Sequence, residues 1–84
     1  MTTENYEKNR VIGRTKIFGF VVSTVISSDY GPETAIVDSN GPLVVERYLT
    51  RDLAEQGHLR WLESLRTGLA YVRDLTTDEI FKLE

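Results

Sequence analysis

The sequence has 84 residues, no cysteine, and ten basic against thirteen acidic residues, which gives a net charge of −3. A chain of this length forms one small domain, and the lack of cysteine excludes a disulfide framework, a thiolate metal site and a cysteine nucleophile. The acidic balance has the wrong sign for binding nucleic acid by counterion release, and no apolar run approaches the roughly 20 residues that cross a bilayer, so neither nucleic acid nor a membrane is expected as main partner.

The first ten residues, Met1 to Arg10, are mostly polar and follow neither a helical nor a strand period. They predict an N-terminal arm, and residues 11–84 a single folded domain. Two interpretations stay open for the arm: it is mobile, or it becomes ordered only against a partner, with Tyr6 as the anchor.

The run from Arg14 to Ser27 is rich in β-branched and aromatic residues. It predicts one long strand with a bend at Gly19, or alternatively two strands hinged there. A chain this small buries little surface, so an apolar strand around Phe18 and Phe20 is expected to leave an edge or patch for a partner. Tyr30, in the following turn, is a further candidate contact.

The segment Ser39-Asn40-Gly41-Pro42 lies between two apolar runs, residues 34–37 and 43–48. Asn-Gly favours the positive φ angles of a tight hairpin turn, which predicts that the two runs pair as an antiparallel hairpin. Pro42 has no backbone N–H and cannot donate a hydrogen bond to a neighbouring strand. Either its nitrogen lies at a position without such a bond, or the loop exceeds two residues.

Thr50 is a suitable N-cap and Gly68 a suitable C-cap for a helix between them. Residues 69–75 can return as a strand, and residues 76–79 are either a hairpin loop or a capping box. We favour a short C-terminal strand or an extended tail after them. The predicted class is α+β: a small antiparallel sheet of four or five strands with one helix packed on a face, in the order β-β-β-α-β. The apolar side of the helix comprises Leu53, Ala54, Trp61, Leu62 and Leu65.

His58 is the only histidine and lies at the edge of the apolar side of this helix. We predict that it packs against Trp61 and hydrogen-bonds to a strand or loop. Gly57 costs helix stability, which indicates a close approach of the helix backbone to the sheet. Gly57, His58 and Trp61 are thus expected to form a structural motif.

The alternative for His58 is a general base beside a carboxylate, as in an enzyme. No second histidine or cysteine accompanies it, the carboxylates are scattered, and phosphate-binding loops, nucleophile elbows and dinucleotide fingerprints are absent. The sequence therefore predicts no catalytic, cofactor-binding or metal-binding residue.

The stretch Glu33-Thr34 … Val45-Glu46-Arg47-Tyr48 … Thr50 … Ala54 … Gly57-His58 … Trp61 resembles a group of small uncharacterised proteins encoded by phages, prophages and their hosts. The match covers residues 33 to about 75. It implies a phage-type origin without a known activity. The strand before it and the tail after it depart from the shared pattern.

The expected function is protein–protein contact by a small non-enzymatic protein, either as a virion or assembly component or as a soluble inhibitor of a host defence protein. The expected location is the virion or the host cytoplasm. In the assembly hypothesis Tyr6, Phe18, Phe20 and Tyr30 contact neighbouring subunits, and the protein is a homo-oligomer or binds another virion subunit.

Overall fold

The computed structural model describes residues 10–39 and 41–83. Strands β1 to β4 form one antiparallel sheet in sequence order, β5 and β6 form a second small sheet, and helix α1 packs on one face of the first. This confirms the α+β class and the four-stranded antiparallel sheet with a helix on a face. The elements are β1 (Val11–Ile17), β2 (Phe20–Ser27), β3 (Gly31–Asp38), β4 (Gly41–Arg47), α1 (Arg51–Arg66), β5 (Tyr71–Asp74) and β6 (Glu79–Lys82).

The long apolar run folds as two paired strands rather than one bent strand. The chain reverses at Phe18 and Gly19, which have φ angles of 50° and 84°, and Ile17 lies opposite Phe20. The prediction of a single strand was therefore wrong, while the alternative placed the break correctly. With the last hairpin, the full order is β-β-β-β-α-β-β.

The predicted hairpin around residues 39–42 is confirmed, since β3 and β4 pair with Asp38 opposite Gly41. Asn40 itself lies outside the described residues. Further along, Ala35 faces Val44 whereas Thr34 faces Glu46, so Val45 is an extra residue in β4. This bulge brings Glu46 onto the helix side of the sheet, because cross-strand partners share a face.

Helix α1 begins after the predicted N-cap Thr50, and its C-cap is Thr67, one residue before the predicted Gly68. The Thr50 hydroxyl accepts from the Leu53 amide at 3.2 Å, and Gly68 follows the helix with a φ of 101°. The helix contacts β1, β2 and β3. The core between helix and sheet contains Phe20, Val22, Ile36, Val45, Leu65, Val72 and Leu83.

The C-terminal residues form the short hairpin β5–β6, which confirms the favoured prediction for this segment. Asp74 shapes its turn by accepting from the Thr76 amide at 3.0 Å, and the Leu75 amide donates to the Val44 carbonyl at 2.8 Å. The hairpin thereby attaches to β4. Within residues 10–39 and 41–83, no helix has the length and apolar character needed to span a membrane.

Candidate functional site

Three threonines on neighbouring strands face the helix. Thr15, Thr24 and Thr34 lie on β1, β2 and β3, and Thr24 is directly opposite Thr34. Thr24 and Thr34 have no exposed surface. Because a buried hydroxyl needs a hydrogen-bond partner, the helix must supply polar atoms at this level of the sheet.

His58 supplies those atoms from the middle of α1. Its Nδ1 lies 2.8 Å from Thr24 Oγ1, and its Nε2 lies 2.9 Å from Thr15 Oγ1. The residue is only 7% exposed. Both ring nitrogens are therefore engaged by the sheet, as a structural role for His58 predicts.

The hydrogen bonds continue across the sheet to the surface. Thr24 Oγ1 is 2.6 Å from Thr34 Oγ1, which is 2.8 Å from the Tyr48 hydroxyl. The Tyr48 hydroxyl in turn hydrogen-bonds to the Glu46 carboxylate. We call the series Thr15, His58, Thr24, Thr34, Tyr48 and Glu46 the polar chain.

The surface end of the polar chain is held by two further side chains of the helix. Glu46 Oε1 accepts from Arg60 Nη2 at 2.7 Å and from Trp61 Nε1 at 2.8 Å. The half-buried indole thus combines apolar contact with the core and a polar contact with β4. Trp61 is the third residue of the predicted structural motif, and it occupies a structural position.

Two glycines allow the rings of the polar chain to approach the backbone. A Cβ atom on Gly13 would come within 2.9 Å of the His58 ring. A Cβ atom on Gly57 would overlap the Tyr48 ring even more severely. Gly57 therefore permits the close approach that its place in the helix predicted, and the group it meets is Tyr48.

The donors of the polar chain all point the same way, because each hydroxyl carries one proton and the Glu46 carboxylate only accepts. Tyr48 donates to Glu46, Thr34 donates to Tyr48, and Thr24 donates to Thr34. His58 then donates from Nδ1 to Thr24 and accepts at Nε2 from Thr15. The network assigns the Nδ1–H tautomer to His58.

The pKa shifts follow from burial and from these bonds. Burial acts to raise the pKa of Glu46, but hydrogen bonds from Arg60, Trp61 and Tyr48 outweigh it and hold the pKa below its ordinary value. Burial raises the pKa of Tyr48 and lowers the pKa of His58. At neutral pH the polar chain therefore contains an ionised carboxylate, a neutral phenol and a neutral imidazole.

The surroundings of His58 and Glu46 determine which of the two a small molecule can reach. Neither nitrogen of His58 is available to a substrate, and an open groove of about 460 Å³ reaches Glu46 rather than His58. Among residues 10–39 and 41–83, no three histidine or acidic side chains gather in a way that could hold a metal ion. The groove is lined by Val45, Glu46, Arg60, Trp61 and Ser64.

The polar chain accounts for the sequence motif that extends from Glu33 to Trp61. Thr50 caps the helix and Ala54 is fully buried. Glu33 pairs with Arg47 across the strands at 3.3 Å. The remaining polar residues of the motif belong to the polar chain or bind its end: Thr34, Glu46, Tyr48, His58 and Trp61.

The opposite face of the four-stranded sheet is a second candidate site, which we call the open face. No helix or strand among the described residues covers it. At its centre the small residues Ser23 and Ala35 lie opposite each other, and Arg14 Nε donates to Ser23 Oγ at 3.4 Å. Its apolar members are Val21, Val25, Ala35, Val37 and Val44, all half-buried.

The four predicted contact residues are not gathered in one place. Phe18 is 70% exposed in the β1–β2 turn, and Tyr30 is 62% exposed at the other end of the sheet, where Arg47 lies over its ring at 4.0 Å. Phe20 is only 8% exposed and belongs to the core, so its prediction as a contact is corrected. Its position opposite Ile17 directs it toward the helix. Tyr6 lies outside the described residues.

Sequence reasoning expected His58 to hydrogen-bond to a strand, as it does, but missed Thr15, Thr24 and Thr34 as members of the same network. Their signal was weak, because threonine is common in strands for its branched shape alone. No family model, curated protein or solved structure matches the chain.

Proposed function

We propose that this protein is a small non-enzymatic protein of phage type that acts by protein–protein contact, as a virion or assembly component that associates with itself. The observation that carries the proposal is the open face. A four-stranded sheet covered on one side only leaves an aliphatic surface that a partner can bury. The motif resemblance supports the phage-type origin.

Contact through the face is favoured over contact through the edges of the sheet. Strand β1 has an extra residue, Ile12, and exposed Arg14 and Lys16, and both features discourage pairing with another strand. Strand β4 contains Pro42, a bulge, and a carbonyl already bound by Leu75. Both edges are therefore poor templates for an added strand, whereas the face between them presents the aliphatic side chains of Val21, Val37 and Val44.

The non-enzymatic character is supported by the polar chain. A general base must reach the proton that it removes. Both nitrogens of His58 instead bind threonine hydroxyls beneath the helix. The residues with the most distinctive chemistry thus contribute to the packing of helix on sheet, and surface contact is the simpler role for the chain.

The test is the mass of the purified protein in solution across concentration, by light scattering after size exclusion. The wild type is expected to associate as its concentration rises. Val21→Glu, in the open face, is expected to abolish the association, and Lys16 on the neighbouring strand can pair with the new carboxylate and preserve the fold. Ile80→Glu is the matched control, because Ile80 is an exposed branched residue in strand β6, away from the face.

A wild type that remains monomeric at every concentration would contradict self-association. The inhibitor hypothesis would then be tested by capture of host defence proteins on immobilised protein, with Val21→Glu and Ile80→Glu as the same pair of variants. Equal loss of association in both variants would show that the open face is not the contact.

A further inference from the structure

The interior of the polar chain has no preferred direction of its own. A hydroxyl group can donate to either neighbour while it accepts from the other, and a neutral imidazole can carry its proton on either nitrogen. The series would keep the same number of hydrogen bonds if every donor were reversed. The direction is therefore decided where the series ends, at Thr15 or at Glu46.

Only one of these two ends can impose a direction. Thr15 is itself a hydroxyl, so it can donate to His58 Nε2 or accept from it. The Glu46 carboxylate is ionised at neutral pH and can only accept. Arg60, which lies beside the Tyr48 hydroxyl as well, can only donate. The Tyr48 proton therefore points to Glu46, and the other donors follow it.

A partial reversal of the polar chain is disfavoured. Between Thr24 and Thr34, whose hydroxyl oxygens are 2.6 Å apart, it would bring two protons or two lone pairs face to face. Neither side chain has exposed surface, so water cannot complete the missing bonds. A buried polar group without a partner loses more free energy than a typical hydrogen bond contributes. The donors are therefore expected to reverse together or not at all.

We infer that Glu46, at the surface, sets the tautomer of the buried His58 ring through the hydroxyl groups between them. The polar chain runs from β4 to β1, which is three strand spacings or about 14 Å. Glu46 is thus a positioning residue, and the proton of the imidazole is what it positions. The inference goes beyond the proposed function, because it concerns the helix side of the sheet and not the open face.

The reversed state would differ at the edge of the sheet. Thr15 would accept from His58 Nε2, and its own proton would turn away from the ring. Thr15 is half-buried on the edge strand β1, so this proton becomes available to water or to a partner. A change in the groove beside Glu46 would thereby alter the hydrogen bonding of the opposite edge.

The experiment reads the tautomer of His58 by nitrogen-15 NMR in the full chain without a purification tag. His58 is the only histidine, so its two ring nitrogens give a single set of signals. The spectra are recorded above pH 6.5, where burial keeps the ring neutral. In the wild type Nδ1–H is expected to exceed Nε2–H by at least about tenfold, the factor that one unmade buried hydrogen bond implies.

Glu46→Gln changes the end of the polar chain with little change in shape. The side-chain oxygen is expected to stay with Arg60 and Trp61, which both donate to Oε1 in the wild type. The NH₂ group is then left for Tyr48 and donates to it, so Tyr48 donates to Thr34. The ratio of the two tautomers is expected to invert, with Nε2–H in excess.

Tyr48→Phe tests the path between the two residues. It keeps the charge of Glu46 but removes the hydroxyl through which the carboxylate acts. Thr34 is then left with Thr24 as its partner in the polar chain and donates to it. Nε2–H is again expected to be in excess. An effect of the Glu46 charge through space would instead leave this variant like the wild type.

The matched control is Glu33→Gln, which makes the same chemical change on the open face of the same sheet, where Glu33 pairs with Arg47. It is expected to keep the tautomer ratio of the wild type. The near-ultraviolet circular dichroism of Trp61 verifies that every variant is folded.

Four results would overturn the inference. An excess of Nε2–H in the wild type contradicts the direction of the donors. A Glu46→Gln variant that keeps Nδ1–H shows that the carboxylate does not set the tautomer. A Tyr48→Phe variant that keeps Nδ1–H shows that the hydroxyl groups do not transmit it. An inverted ratio in Glu33→Gln indicates a general response to charge. None of these results bears on self-association, which light scattering tests separately.

Discussion

The two faces of the four-stranded sheet differ in the interactions that their side chains make. The helix side contains a hydrogen-bonded series of polar groups in which the described buried side-chain atoms all have partners. The open face contains aliphatic side chains of modest size that no described element covers. Neighbouring residues of one strand, such as Val21 and Val22, thus belong to different environments.

The helix side is therefore expected to determine the stability of the fold, and the open face the proposed contact with a partner. On the helix side, the fit depends on two glycines and on donors that match acceptors one by one, so small changes are expected to be costly. On the open face, substitutions alter the surface of the proposed contact and are expected to leave the fold nearly intact. Variants chosen from the two sides therefore test the comparison directly.

The largest effect is expected for Gly57→Ala. A methyl group at this position overlaps the Tyr48 ring and displaces it from Thr34. We expect a loss of about 3 kcal/mol in the free energy of unfolding, although alanine alone favours a helix by about 1 kcal/mol. Urea unfolding followed by tryptophan fluorescence measures it. The exposed neighbour provides the control: Gln56→Ala should change stability by less than about 0.5 kcal/mol.

His58→Gln is expected to cost about 2.5 kcal/mol, because the new side chain cannot serve Thr15 and Thr24 with the geometry of the ring. A double-mutant cycle with Thr15→Val sharpens the result. Removing both partners should cost less than the sum of the single losses, since the threonine is then no longer left without its acceptor. Strict additivity would argue against the bond between His58 and Thr15.

A pair of substitutions on strand β2 compares the faces within two residues. Val22 is fully buried on the helix side, and Val22→Ala is expected to lower the free energy of unfolding by about 2 kcal/mol through the cavity that it creates. Val21→Ala, on the open face, should cost less than about 1 kcal/mol. Equal losses would mean that the open face is as tightly packed as the core.

The smallest expected effect is a dependence of stability on pH. Burial lowers the pKa of His58 below 6.5, so the unfolded chain binds a proton at a pH where the folded chain does not. The free energy of unfolding should therefore fall as the pH decreases from about 6.5 toward the folded pKa, by at most about 1.4 kcal/mol per pH unit. His58 is the only histidine, so His58→Gln should remove this slope above pH 5.

Much of the fold could be predicted from local sequence signals. Thr50, Gly68 and the Asn40-Gly41 step mark boundaries by their own conformational preferences, and these elements lie where expected. The turn at Phe18 could not be read in this way, because a bulky aromatic residue rarely adopts a positive φ angle. The surrounding run of strand-forming residues favoured continuation instead.

The site was predictable only in part for a different reason. His58 and Gly57 stand out singly, since one is the sole histidine and the other is a glycine inside a helix. Their partners depend on strand register, which brings Thr15, Thr24 and Thr34 to one level from positions far apart in sequence. A bulge at Val45 then decides that Glu46 faces the helix, and single-sequence patterns do not reveal bulges of this kind.

The polar chain also gives the sheet an electric dipole that runs across its strands. Four O–H groups and one N–H group point from β1 toward Glu46, and their dipoles add head to tail as peptide dipoles do along a helix. A sheet has almost no net dipole of its own, because strand dipoles alternate. Here the side chains supply one across the strands, and its positive end is directed at the ionised carboxylate.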